Sequence, residues 1–226
     1  MTKTPGLPLL TPEPYGFLYV GFNAQHRKGG PLVRDTARRR EYSSHLQKTA
    51  TALEKVKGVH SIRVYRARVL PPLPGMPQHD HVMLIRTETP QELEDVRKQR
   101  LLQSLNPQEI LVGENAARIG ETETDPESTY LLNHFEVRGT GSPIEAWKSL
   151  TQWYTTKIGI DNSTALISRD ENTQFPLVNY ARLPSNPPAF LLNQILRPSF
   201  FTTVRGTLKS NQMRALPGFY RLVSIT

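Results

Sequence analysis

Val82-Met-Leu-Ile-Arg-Thr87, followed by Thr89-Pro-Gln-Glu92, and Val178-Asn-Tyr-Ala-Arg-Leu183, followed by Pro187-Pro188, decide how this chain is read. Each is a six-residue run of strand-forming side chains, then a short polar step, then a proline where a helix begins. In the first copy Thr89 is placed as an N-cap, and Glu92, three residues on, can reach back to its N–H in a capping box. Two copies of one local plan in one chain predict an internal repeat.

Working outward, the same plan extends to whole halves. Phe17–Phe22 reads as a strand, and residues 34 to 57 as a helix with Tyr42, Leu46, Ala50, Leu53 and Val56 on one stripe. Gly58 stands where a left-handed C-cap is wanted. Ile62–Leu70 alternates as a strand, which Pro71, Pro72, Pro74 and Pro77 end; His81–Arg86 is the next strand. The capped helix runs to about Leu105, and a strand is predicted within Glu109–Ile119. The order is β-α-β-β-α-β. It recurs with Thr129–Val137, a helix from a second capping box at Ser142-Pro-Ile-Glu145 to Gly159, strands at Ser163–Arg169 and Phe175–Leu183, an apolar helix Ala189–Leu196, and a closing strand Phe219–Ile225. Pro198 interrupts the last helix, and the stretch from there to Gly218 shows no period.

The fold class is therefore α+β: tandem ferredoxin-like (βαββαβ) repeats. A sheet with both helices on one face leaves its other face bare, and that face must pack on something. Residues 175–183 are apolar on both faces: Phe175, Leu177, Ala181 and Leu183 share a side with Asn179, while Val178 and Tyr180 take the other. The halves are thus expected to cover each other as one intramolecular barrel, against the alternative of two independent modules on a flexible linker. The divisions read from the sequence are an extended segment 1–14, half 1 over 15–121, a polar linker 122–128 and half 2 over 129–226.

Composition narrows the function. The 226 residues contain no cysteine, which removes disulfides, thiolate nucleophiles and cysteine-held metals, and fits a reducing, cytoplasmic setting. No apolar run is long enough to span a bilayer, so no membrane partner is expected. The net charge of +8 is spread along the chain: 18 basic and 13 acidic side chains over residues 1–124, then 10 and 7. The one dense cluster, Arg38, Arg39 and Arg40, reads as the solvated face of a helix, so nucleic acid is not an expected partner; an anionic small molecule suits the surplus equally well. No glycine-rich dinucleotide or phosphate-loop motif is present.

Leu132-Asn-His-Phe-Glu-Val137, Glu145-Ala-Trp147, Ser168-Arg169, Val178-Asn-Tyr-Ala-Arg182 and Phe219-Tyr-Arg-Leu-Val223, in that order and spacing, make residues 130–225 resemble the antibiotic-biosynthesis monooxygenase family of the dimeric α/β-barrel superfamily. The first half matches only in element order. The resemblance implies an oxygenase of secondary-metabolite biosynthesis, acting on polycyclic phenols, anthrones or angucyclinones from aromatic polyketide pathways and including oxidative ring opening. Some members use O₂ with no organic cofactor or metal. Two-domain relatives act with reduced flavin (FADH2 or FMNH2), which would make a flavin reductase a partner. It also implies a pocket between sheet and helices, with the functional asparagine of the third strand falling on Asn179. The tryptophan usual four positions later is Leu183 here, and the corresponding positions of half 1 are Met83 and Thr87.

The residues themselves suggest roles. Asn179 is a polar amide on an apolar strand face and so needs partners. Asn133 and His134, catalytic candidates with Asn179, point to opposite faces of their strand, and His134 is a candidate base. Trp147 and Tyr154 share the inner stripe of a helix as core or ligand wall, with Trp153 beside them, and Phe135, Leu183, Arg182, His79 and His81 belong with them to the substrate-binding set. His79 and His81 resemble a metal pair without a third ligand, so no metal is expected, and a rim role is the alternative. Arg182 and Arg86 occupy matching positions and suit an anionic group or a salt bridge. Two further readings stay open: a non-oxidative polyketide cyclase or isomerase using a His/Tyr pair, and a protein that binds an aromatic metabolite without turnover. A haem-degrading enzyme is also compatible with the fold, without an evident axial ligand. Monomer and homodimer are both allowed.

Overall fold

The computed structural model describes residues 6–25 and 30–223. Nine strands are seen among them: β1 (Leu9–Leu10), β2 (Gly16–Phe22), β3 (Val59–Val69), β4 (His81–Thr87), β5 (Gln108–Ile119), β6 (Thr129–Val137), β7 (Ser163–Ser168), β8 (Leu177–Arg182) and β9 (Met213–Leu222). The helices are α1 (Ala37–Leu53), α2 (Leu93–Arg97), α3 (Arg100–Gln103), α4 (Pro143–Ile158), α5 (Pro187–Ile195) and α6 (Arg205–Ser210), with a 3₁₀ turn at Pro90–Glu92 and a π-helical turn at Phe200–Val204. All strand pairings are antiparallel. The sheet runs β1-β5-β2-β4-β3-β9-β6-β8-β7, and β7 pairs back onto β5, so β2 to β9 close into an eight-stranded barrel. Four neighbouring strands come from residues 16–119 and four from 129–222, joined at two seams, β3–β9 and β5–β7. At the second seam Gly113 meets Ser168, and a Cβ on Gly113 would lie 2.0 Å from the Ile167 carbonyl oxygen. Only a residue without a side chain lets the strands approach there.

Alternation divides each strand between the barrel interior and the helices outside. The interior is aromatic, with Phe17, Tyr19, Tyr65, Tyr130, Tyr180 and Tyr220 fully buried. Outside, α1 to α3 pack on the first four strands around Leu46, Leu53, Met83 and Ile85. The helix α4 packs on the other four around Trp147, Leu150, Ala165 and Leu177. Phe175 differs from its expected side: it precedes β8, enters the interior and packs on the His134 ring at 5.3 Å.

Several boundaries move for local reasons. The first helix stops at Leu53, and Gly58 (φ 86°) turns the chain into β3 instead of capping the helix directly. The helix begun at Thr89 breaks into three short pieces, although Glu92 does reach the Thr89 N–H at 2.9 Å. The box at Ser142 is not made: the Ser142 side chain caps nothing, and Glu145 pairs with Lys148 instead. Gly159 (φ 81°) ends α4 in the left-handed conformation. The closing strand starts at Met213, not Phe219, and carries Pro217 and Gly218 within it.

The arginine cluster is not wholly solvated. Arg39 is 2% exposed, pairs with Asp80 at 3.6 Å, and donates to the carbonyls of Arg34, Ala67 and Asp80. A helix pressed on a sheet buries one arginine in three by geometry, whatever its neighbours do. The polar segment 121–128 is bolted to the barrel end: Glu123 accepts from Arg63, Tyr65 and Arg86. Arg86 also donates to the Tyr180 hydroxyl at 2.6 Å and faces Glu13 at 3.6 Å. None of the described helices is long and apolar enough to cross a membrane.

Candidate active site

A cavity of about 890 Å³ lies between the outer face of β6, β8 and β9 and the helices α4, α5 and α6. Seven aromatic side chains line it, Phe135, Trp147 and Tyr154 among them. The volume suits a drug-sized or polycyclic ligand.

Its polar wall is built by cross-strand register. Asn133 on β6 and Asn179 on β8 are direct partners, and Asn179 also faces Ala165 on β7. Side chains of directly paired residues share a face, so both amides point outward to the cavity. The Asn179 Oδ1 accepts two hydrogen bonds, from Trp147 Nε1 at 2.9 Å and from Ser163 Oγ at 2.5 Å. An indole N–H can only donate, so it fixes which end of the amide is the carbonyl. The Nδ2 end therefore turns away from Trp147 and makes no hydrogen bond among the described residues. The Asn133 Oδ1 beside it is buried and unpartnered. On the far side Tyr154 donates to Gln194 Oε1 at 2.9 Å, tying α4 to α5, and burial pushes the Tyr154 hydroxyl well above its ordinary pKa.

The expected residues divide into groups. Asn133, Phe135, Trp147, Tyr154 and Asn179 all line this cavity. Leu183 packs behind it, against Phe190 and Phe219. His134 does not join them. It is fully buried inside the barrel, where Nδ1 donates to the Leu216 carbonyl at 3.0 Å and Nε2 accepts from Tyr19 at 3.0 Å. Desolvation lowers its pKa to about 4, so it is neutral. Trp153 turns aside and donates to Ser199. Arg182 lies at the barrel end beside Asp161 and Thr124.

The two histidines of half 1 separate. His79 borders a smaller cavity of about 530 Å³ at the barrel mouth, next to Asn23. His81 is sealed under α1 between Asp80 (2.8 Å) and Ser43 (2.8 Å). That Ser–His–Asp chain is buried, and Met83, at the position matching Asn179, is itself buried in the core under α1. Among the described residues no group of three or more His, Asp or Glu could hold a metal ion.

Ser163, Thr151, Gln194 and the segment 200–209 also line the large cavity and were not expected. Ser163 opens a strand and Gln194 sits on an apolar helix; nothing local marks either as facing a ligand. The lining contains no histidine, and one glycine, Gly206, which lies inside a helix. A flavin fits this lining poorly, since no glycine-rich phosphate loop faces the cavity.

No protein-family model matches the chain, and no curated protein matches its sequence. Solved structures share its fold. An anthrone oxidase-like protein superposes with a TM-score of 0.62 at 13% identity, over 94% of this chain and 92% of that one. A proposed monooxygenase from Fusobacterium nucleatum gives 0.53 at 9% identity, over 93% and 92%. A chlorite dismutase variant from Candidatus Nitrospira defluvii gives 0.52 at 9% identity, over 94% and 93%. These likenesses are of fold alone, a closed antiparallel barrel with helices outside, and are consistent with a dimeric α/β-barrel.

Proposed function

We propose that this chain is an oxygenase of polycyclic aromatic polyketides, of phenol, anthrone or angucyclinone type, built from tandem ferredoxin-like halves over residues 15–121 and 129–226. One observation carries the reading: the Asn179 amide is locked by Trp147 so that its N–H₂ faces an aromatic-walled cavity. The likeness in fold to an anthrone oxidase-like protein supports it.

The chemistry follows from what the cavity holds. No carboxylate or histidine lines it among the described residues, so no side chain there is an evident base. The substrate must be acidic enough to ionise to water or hydroxide, as a phenol or anthrone is. Its enolate-like oxygen then carries the charge. Asn179 Nδ2–H₂ donates to that oxyanion, in a site where the apolar wall excludes water and strengthens the bond. The anion gives one electron to O₂, the two radicals combine into a C–O bond, and the peroxide anion so formed takes back from water the proton first lost. Loss of water from the hydroperoxide leaves a quinone. One oxygen of O₂ enters the product and the other leaves as water. Reduced flavin is not required by this balance.

The test is incubation with an anthrone and a hydroxylated angucyclinone under ¹⁸O₂, with and without reduced flavin. One labelled oxygen in the product of the flavin-free reaction is expected. Label that appears only with reduced flavin would move the electron source to FADH2 or FMNH2 and make a flavin reductase the partner. Turnover under strict anaerobiosis would identify a cyclase or isomerase instead, and no label in any product ends the oxygenase reading.

A further inference from the structure

The charges around the large cavity are all of one sign. Arg205, Lys209 and Arg214 line it, and no acidic residue does among the described residues. Arg214 is committed: it pairs with Glu136 at 3.1 Å and donates to the Pro74 carbonyl. Arg205 and Lys209 make no ion pair among the described residues, and Arg205 lies over the Phe201 ring at 5.8 Å. The two are four residues apart on α6, so they stand on one face of that helix. Gly206 sits between them, and a Cβ there would meet nothing within 4 Å. The mouth is thus left open beside two uncommitted cations, while the amide wall of Asn179 and Asn133 belongs to the sheet.

We propose that the substrate is an aromatic acid, whose ionised carboxylate sits at Arg205 and Lys209 while its oxygen-bearing ring meets Asn179. This rests on the oxygenase reading for the ring chemistry, but the charge preference stands on the rim alone. The planar guanidinium suits a carboxylate, and stacking on Phe201 holds it at the mouth without neutralising it. An apolar cavity binds flat rings without regard to their direction; a cationic rim at one side selects the orientation that brings the hydroxyl or keto end to the amide.

The experiment compares anthracene-2-carboxylate with anthracene-2-carboxamide by quenching of tryptophan fluorescence, since Trp147 lines the cavity. At neutral pH and low salt the carboxylate is expected to bind about tenfold more tightly, which is about 1.4 kcal/mol. Molar salt should shrink the preference. The double variant Arg205→Gln/Lys209→Gln should abolish it and leave the carboxamide affinity unchanged. Both positions are exposed, and the melting temperature of the double variant serves as the control for folding. Equal affinities in the parent protein, or a preference that persists in the double variant, overturn the inference. So does FMN binding more tightly than riboflavin while neither anthracene binds, because the rim would then serve a flavin phosphate. A charge preference without ¹⁸O incorporation refutes the oxygenase reading alone, and incorporation without a preference refutes the acid alone.

Discussion

Replacing Asn179 by aspartate tests the amide donor with little disturbance of the fold. The side chains have nearly the same shape. One carboxylate oxygen still accepts from Trp147 Nε1 and Ser163 Oγ, so neither donor is orphaned. What changes is the group facing the cavity: two N–H donors become an oxygen with a share of negative charge. Loss of one oxyanion donor costs about 10²- to 10³-fold in kcat, or about 2.7–4 kcal/mol. Repulsion between the carboxylate and an enolate places Asn179→Asp at the upper end of that range at neutral or higher pH. The protonated carboxyl is again a donor, so activity relative to the parent at the same pH should recover as pH falls through its titration. Burial raises that titration point, while the two accepted hydrogen bonds lower it. The assay is kcat against pH for product formation under O₂, with the melting temperature measured alongside. A variant that melts with the parent and retains kcat within threefold at pH 8 would refute the claim that Asn179 Nδ2 touches the reacting oxygen.

Four further outcomes are expected. Trp147→Phe removes the indole donor, and Ser163, which can donate or accept, no longer sets the amide's direction; kcat should fall only about twofold, because half the amides still point correctly, while the lost hydrogen bond and ring volume cost about 1–2 kcal/mol in urea unfolding. His134, lowered to about 4 in the fold, stays neutral where the unfolded chain protonates near 6.5, so the unfolded state binds more protons between those values. Its contribution is complete above pH 6.5 and is lost as pH falls toward 4, worth about 3 kcal/mol in all, and His134→Gln should flatten that part of the stability profile. Arg86→Met leaves Glu123 with only Arg63 and Tyr65, and Glu13 with only Arg118 at 3.9 Å; it should cost about 1–3 kcal/mol by chemical denaturation, below the cost of a fully orphaned buried charge. Gly113→Val drives a side chain into the Ile167 carbonyl and should cost about 1–3 kcal/mol or more, read as a lowered melting temperature.

Much of the barrel is legible in the letters because strand alternation and prolines at helix starts are local signals. Val178 and Tyr180 face inward and Asn179 outward by period alone, and the β-α-β-β-α-β order needs only the spacing of such runs. The site is legible where a residue violates its surroundings, as an amide does on an apolar face. It is not legible where a partner is supplied from a distant element. Ser163 and Gln194 acquire meaning only when β7 and α5 are folded beside Asn179 and Tyr154. Arg39 shows the opposite failure: flanked by two exposed arginines, it gives no local sign that Asp80, forty-one residues away, lies under its helix. Residues 197–210 carry no period because a proline, a π-helical turn and a glycine fall within them, so the cationic rim they supply could not be placed.

The β3–β9 seam has a kinetic consequence. Arg66 and Arg221 are register partners, so one side of the barrel cannot form until β3 (Val59–Val69) and the far later β9 (Met213–Leu222) have found each other. Loop closure of that length is entropically slow to pay back, and contacts of such high sequence separation delay folding. Each half can collapse early on its own helices, but Tyr65 and Tyr220 wait in water until the final strand arrives. Refolding should therefore show a late phase in which tyrosine environments change after most of the helix content is already in place.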